Sequence, residues 1–184
     1  MFELVTPVGF SGVSICKGTG LKTTQLRPCS SRDLLFLQIQ RSNGPTLTIT
    51  NIYNAPQGGT DAGEAVDLLM ELPTSLWRST LIAGDLNLHH PHWNPAKHNP
   101  SPKANAFVSW LDGNNYTSKV GKPTHRDGNT LDLPFLAGLL SARTVRRCNL
   151  DHCPMQTTIG WNTRAPEPAK RLRLDTLDEK LFLQ

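Results

Sequence analysis

The chain has 184 residues and a formal net charge of +4, with a pI near 9.0. That length suits one domain with a real core, the 38% hydrophobic fraction argues against a disordered chain, and the mild basicity is compatible with a polyanionic partner without requiring one. The absence of a long uninterrupted apolar run predicts no transmembrane helix, and no basic segment followed by an apolar one predicts a secretory signal. Cys16, Cys29, Cys148 and Cys153 form no C-x-x-C pair and no zinc-finger spacing, so free thiols in a reducing compartment are expected.

In chain order, Phe2–Val5 and Gly12–Cys16 read as short strands with Pro7 and Gly9 between them. Gly18–Gln25 reads as a polar loop. Leu34–Gln40 is a strand that starts as a continuous apolar run, and Arg41–Pro45 is a turn. Thr46–Tyr53 alternates almost perfectly and is the clearest strand, so the two strands form a β-hairpin. A helix starts near Asp61, with Ala62, Ala65, Val66, Leu69 and Met70 on one face, and Pro73 ends it.

The next stretch organises the chain. Thr80-Leu81-Ile82-Ala83 is a short buried strand that stops at Gly84. It delivers Asp85, Asn87, His89, His90 and His92 into a loop punctuated by Pro91 and Pro95. Asp85 and Asn87 are two apart and point to the same side of an extended chain. A carboxylate beside a carboxamide suits phosphate chemistry, although an isolated D-x-N is more often an Asx turn. The three His fit a metal tract, substrate contacts or packing.

Ser101 caps a helix over 102–112 with Pro102 at its first position and Gly113 at its end; Ala104, Phe107, Val108 and Leu111 repeat on one face. Thr124–Asn129 is a polar turn, and Thr130–Leu136 a short strand carrying Asp132. A carboxylate in an apolar strand costs several kcal/mol if unpaired, so it asks for a partner such as His. Val145–Leu150 reads as another strand, Asp151-His152 follows, and Met155–Trp161 is the last strand. From 162 to 184 a Pro-rich linker and a Leu-rich tail are expected. Hairpins mixed with helical crossovers predict an α/β fold of two packed sheets flanked by helices.

Tyr53 at a strand end, Asp85-x-Asn87, Asp132 in a strand and Asp151-His152 resemble, in this order, the endonuclease/exonuclease/phosphatase superfamily with the DNase I fold. The segments Ile52-Tyr53-Asn54-Ala55-Pro56, Gly84–Trp93, Pro123-Thr124-His125 and Leu131-Asp132-Leu133 look like the endonuclease domains of non-LTR retrotransposons, as in fungal reverse-transcriptase polyproteins. The resemblance covers residues 2–161 and implies a four-layer αββα sandwich of mixed and antiparallel sheets. It implies a DNA-nicking activity with Mg²⁺ or Mn²⁺, double-stranded DNA as substrate, a reverse transcriptase or another element-encoded chain as partner, no membrane, and an intracellular, nuclear location.

The same resemblance assigns roles. His152 acts at the phosphodiester as base or transition-state stabiliser, and Asp132 holds its imidazole. Asp85 shuttles a proton, Asn87 and Tyr53 bond phosphate oxygens, and Asp151 with Asp85 binds the metal. Thr124, Asn129, His89 and His90 contact DNA. The family pattern opens with a strand ending in Asn, a helix, and a strand ending in Gln-Glu, whose Glu is the principal Mg²⁺ ligand; this sequence begins after both motifs. Loss of that first strand–helix–strand predicts an N-terminally truncated domain with low or absent activity. The competing expectations are a catalytically inactive nucleic-acid-binding remnant and a phosphatase acting on a small substrate.

Overall fold

The structure, a computed structural model, describes residues 2–5, 15–18, 22–40, 46–56, 64–77, 80–118, 120, 122–136, 140–144 and 151–159. The linker and tail expected over 162–184 and the strand expected over 145–150 lie outside the described residues.

The first pair of strands, β1 (Phe2–Val5) and β2 (Ile15–Gly18), is antiparallel. A five-stranded sheet in the order β3-β4-β5-β6-β7 follows: β3 (Lys22–Leu26), β4 (Leu34–Gln40), β5 (Leu47–Tyr53), β6 (Thr80–Asp85) and β7 (Asp132–Leu136). Strands β4 and β5 form the expected antiparallel hairpin. Strand β6 runs parallel to β5, which requires a crossover; α1 (Glu64–Glu71) lies within that connection. A last antiparallel pair, β8 (Leu140–Thr144) and β9 (Met155–Ile159), follows β7.

The segment expected as a loop before Gln25 contains β3. Its sequence, Lys-Thr-Thr-Gln-Leu, lacks an apolar stripe because the strand sits at the sheet edge with only intermediate or exposed side chains. Strand β6 also runs past Gly84 to Asp85. Gly84 has φ +149°, and a Cβ there would stand 1.9 Å from the Ile52 carbonyl oxygen of the neighbouring strand. Only glycine allows β5 and β6 to stay paired to the last residue.

Pro134 is accommodated because β7 is an edge strand. The Asp132 N–H donates outward to Thr124 Oγ1 and the Leu136 N–H to the Thr117 carbonyl. Pro134, between them, therefore lacks an N–H only on the side away from β6.

The two sheet faces have different covers. On one, Leu34, Phe36, Ile52, Ile82, Leu133 and Phe135 meet Val66 and Leu69 of α1 and the Ala104–Phe107–Val108–Leu111 stripe of α2 (Pro102–Gly113). Phe107 is fully buried with its ring edge-on to Phe135 at 5.7 Å. Helix α2 starts as expected, with Ser101 Oγ accepting from the Ala104 N–H. At its C-terminal end the left-handed residue is Asn115 (φ 58°) rather than Gly113. On the opposite face Leu47, Leu81 and Leu136 pack with Ile49, Ala83 and Ile159 of β9. Side chains alternate along a strand, so Tyr53, Asp85 and Asp132 project to this second face, at the end of the sheet nearest β9's preceding residues.

Candidate functional site

The three strand ends form one row. Tyr53 is the register partner of Asp85, and Asp85 is the partner of Asp132. Backbone bonds extend the row beyond the strands: the Asn54 N–H donates to the Asp85 carbonyl at 2.8 Å, and the Leu86 N–H to the Leu131 carbonyl at 3.0 Å. The buried Asn54 side chain reinforces this junction. Its Nδ2 donates to the Leu86 carbonyl at 2.8 Å, while its Oδ1 accepts from the Val66 N–H in the first turn of α1 at 3.4 Å.

His152 joins the row from the segment before β9. Its Nδ1 lies 2.8 Å from Asp132 Oδ2. A carboxylate accepts, so Nδ1 carries the proton and Nε2 presents its lone pair when the ring is neutral. Two backbone bonds fix this segment against the 124–129 turn, Arg126 N–H to the Asp151 carbonyl at 2.9 Å and Cys153 N–H to the Thr124 carbonyl at 2.7 Å, and together they form the bridge between His125 and His152. The His125 ring stands edge-on to the His152 ring, with centroids 4.9 Å apart. Burial alone would lower the His152 pKa; the bond to Asp132 and the charges of Asp132, Asp85 and Asp151 outweigh it and hold the imidazole above its ordinary value.

Asp85 moves in the unusual direction for a carboxylate. Burial raises its pKa and the neighbouring Asp132 charge raises it further, against the opposing bonds from Asn87 and the charge of His152. Asn87 braces it from a left-handed conformation (φ 45°). The Asn87 N–H donates to Asp85 Oδ1 at 3.1 Å, and Asn87 Nδ2 donates both to Asp85 Oδ2 at 2.9 Å and to the Asn54 carbonyl at 3.0 Å. Both amide hydrogens are thereby used. In this arrangement Asn87 braces Asp85.

Other expected residues divide similarly. Thr124, expected to contact DNA, is fully buried, and its Oγ1 accepts from the Leu131 and Asp132 N–H groups at 2.9 and 3.0 Å. It sits beneath the dyad and sets the start of β7. His90, also expected at DNA, is buried between His92 (4.5 Å) and Trp93 (5.3 Å), with its pKa lowered chiefly by burial; it is a packing residue. His89 and Asn129 are partly exposed. Asn94 links His89 to the frame: its Oδ1 accepts from the Thr130 N–H at 2.8 Å, and its Nδ2 donates to the Thr130 carbonyl at 3.1 Å and to His89 Nδ1 at 3.2 Å. His89 is therefore a neutral ring with its proton on Nε2, in keeping with a pKa lowered by burial and by Lys97.

The metal expectation meets a partial fit. Mg²⁺ uses one or two carboxylates with water and phosphate. Asp85 retains lone-pair sites beyond the two taken by Asn87, and its raised pKa marks a place where positive charge would be welcome. Asp151, however, is exposed and paired with Arg126, Nη1 to Oδ1 at 2.6 Å. Among the described residues no group of three His, Cys, Asp or Glu is placed to hold a metal ion. The described residues do not by themselves complete a cation site.

Sequence reasoning missed Asn54, Asn94 and His125 as site residues. The first two act across 32 and 36 positions, a separation that carries no local signal. His125 sits in the Pro123-Thr124-His125 segment that carried part of the resemblance.

Comparison with known proteins places this arrangement. A family model described as endonuclease-reverse transcriptase matches residues 47–156. Among solved structures, the endonuclease domain of TRAS1, a telomere-specific non-LTR retrotransposon, superposes with a TM-score of 0.68 at 13% identity, covering 84% of this chain and 76% of that one. Beta toxin 275-280 from Staphylococcus aureus is more distant, with a TM-score of 0.49 at 14% identity over 80% of this chain and 67% of that one, and carries no argument here. No curated protein matches. The fold is that of a DNase I-like endonuclease. The chain belongs to the endonuclease-reverse transcriptase family.

Proposed function

We propose that this chain is the endonuclease domain of a non-LTR retrotransposon and nicks double-stranded DNA by hydrolysing a phosphodiester. The observation that carries this reading is the His152–Asp132 dyad, set in one row with Asp85 and Tyr53 at the ends of adjacent strands. His152 Nε2 takes the proton of the attacking water while Asp132 holds Nδ1–H and stabilises the imidazolium that forms. The water oxygen bonds to phosphorus and the P–O bond to the leaving oxygen breaks. The leaving oxygen takes its proton from Asp85, which enters the step protonated, the form that its raised pKa favours. Tyr53 donates to a non-bridging oxygen, Asn87 keeps Asp85 aimed, and His89 Nε2–H and Asn129 face the DNA.

Family membership supports a divalent-cation requirement, Mg²⁺ or Mn²⁺, with Asp85 as the described carboxylate best suited to serve it. It also supports a reverse transcriptase as partner; we further propose a nuclear site of action, with residues 1–161 as the nuclease and 162–184 as the link onward. A second reading, a DNA-binding domain without catalysis, is favoured by the Arg126–Asp151 pair, which commits one of the two expected metal carboxylates elsewhere. Incubating supercoiled plasmid with the full chain, with Mg²⁺ and with chelator, separates the two. Relaxed circles formed only with the cation support the nuclease; DNA bound but never nicked supports the binder.

A further inference from the structure

A cleft opens against the turn that precedes the Asp132 strand. It occupies about 320 Å³ between the 92–97 loop and the 122–130 turn, and its walls include Lys97, Lys122, Asn129 and Thr130. Both lysines are exposed, and among the described residues neither forms a salt bridge, whereas Lys103 on α2 is paired with Asp67 of α1. No carboxylate lines the cleft. Two cations on the wall of one cleft with no carboxylate beside them make a place where an anion is favoured.

The cleft is held rigidly to the reacting groups. Asn94 clamps one wall to the other through both polar groups of Thr130, and the Asn129 carbonyl accepts from the Thr124 and His125 N–H groups at 3.0 and 2.9 Å. Thr130 precedes Asp132 by two residues of extended chain, roughly 7 Å. The cleft wall and the dyad carboxylate are thus carried by one short segment of chain.

We propose that the Lys97–Lys122 cleft is a backbone-phosphate subsite for DNA flanking the scissile bond, with Asn129 donating to the same phosphate. This rests on the reading of the chain as a DNA-cutting domain and adds where the substrate is gripped. Phosphate contacts set register and affinity without reading bases, so the subsite contributes equally on any sequence.

The test is the salt dependence of binding. The full chain and its Lys97→Ala, Lys122→Ala, double and Lys103→Ala variants are titrated into a fluorescein-labelled 20-base-pair duplex in chelator, from 50 to 300 mM NaCl, by anisotropy. Each subsite lysine removed lowers the slope of log K against log salt by about 0.9 and weakens binding about tenfold at 0.1 M salt. Lys103→Ala leaves both unchanged, and substitution by Arg at 97 or 122 restores them. Wild-type binding with an unchanged slope in the double variant overturns the subsite and leaves the nuclease reading standing. A wild-type chain with no salt-dependent affinity for the duplex overturns both.

Discussion

Replacing Asn94 by Ala tests the clamp that joins the histidine loop to the strand bearing Asp132. Asn94 is buried, as is Thr130, and the side chain satisfies both polar groups of Thr130 besides His89 Nδ1. Truncation orphans a buried N–H and a buried C=O. At about 1–3 kcal/mol per unsatisfied group, partial relaxation leaves a cost of about 3 kcal/mol. For a chain of this size about 2–4 °C of Tm accompanies each kcal/mol, so Tm falls by about 6–12 °C in thermal unfolding followed by circular dichroism. Asn94→Asp is worse than Ala at neutral pH, because it keeps the acceptor for the Thr130 N–H but sets a carboxylate against the Thr130 carbonyl. Acidification protonates that group, restores a donor and narrows the gap between the two variants. A Tm change below about 2 °C for Asn94→Ala, or an Asp variant more stable than Ala at neutral pH, would refute the clamp.

Three further outcomes follow from the site. Gly84→Ala drives a methyl group to 1.9 Å from the Ile52 carbonyl oxygen; the strand ends must separate at a cost above about 3 kcal/mol, and urea unfolding at an unchanged midpoint would contradict this. His125→Ala removes the ring standing edge-on to His152; at about 0.5–1.5 kcal/mol for such a pair, kcat for nicking falls up to about tenfold with KM for DNA unchanged, and His125→Phe recovers most of it, whereas equal losses in both variants would assign the effect elsewhere. The pH dependence has a fixed sign. His152 has a folded pKa raised above its unfolded value, so its pair with Asp132 stabilises the fold fully below the unfolded pKa and is lost as pH rises through the folded one. The wild type therefore gains stability over His152→Ala toward mildly acidic pH, while nicking, which needs the neutral ring, rises as pH passes the His152 pKa; histidine NMR titration placing His152 below the ordinary imidazole value would contradict the stability gain.

Much of this fold is legible in the sequence because its signals are local. The alternation of β5, the capped stripe of α2 and the polar discharge at the end of β6 each state a burial requirement within one element. Asp132 announced a partner because an apolar strand cannot carry a lone carboxylate, and His152 is found 2.8 Å away. Strand β3 escaped because an edge strand needs no apolar face. The roles of Asn54, Asn94 and Thr124 escaped because each side chain satisfies backbone groups in a distant segment, which only the fold can supply. Asn87 shows the limit of reading chemistry from residue type: a carboxamide beside a carboxylate looks like a phosphate ligand, yet Asp85 and the distant Asn54 carbonyl occupy its hydrogens. His90 shows the same for a histidine tract, in which one ring faces the loop and its neighbour fills the core.

The most direct measurement is nicking of supercoiled plasmid with Mg²⁺ by the full chain and its His152→Ala variant side by side. His152 is partly exposed, so the variant keeps its fold, which its circular dichroism spectrum verifies. Relaxed circles from the wild type, with loss of about 10²-fold or more in the variant, are the result the His152–Asp132 account predicts. Equal nicking by both chains would place the reacting group elsewhere and contradict it.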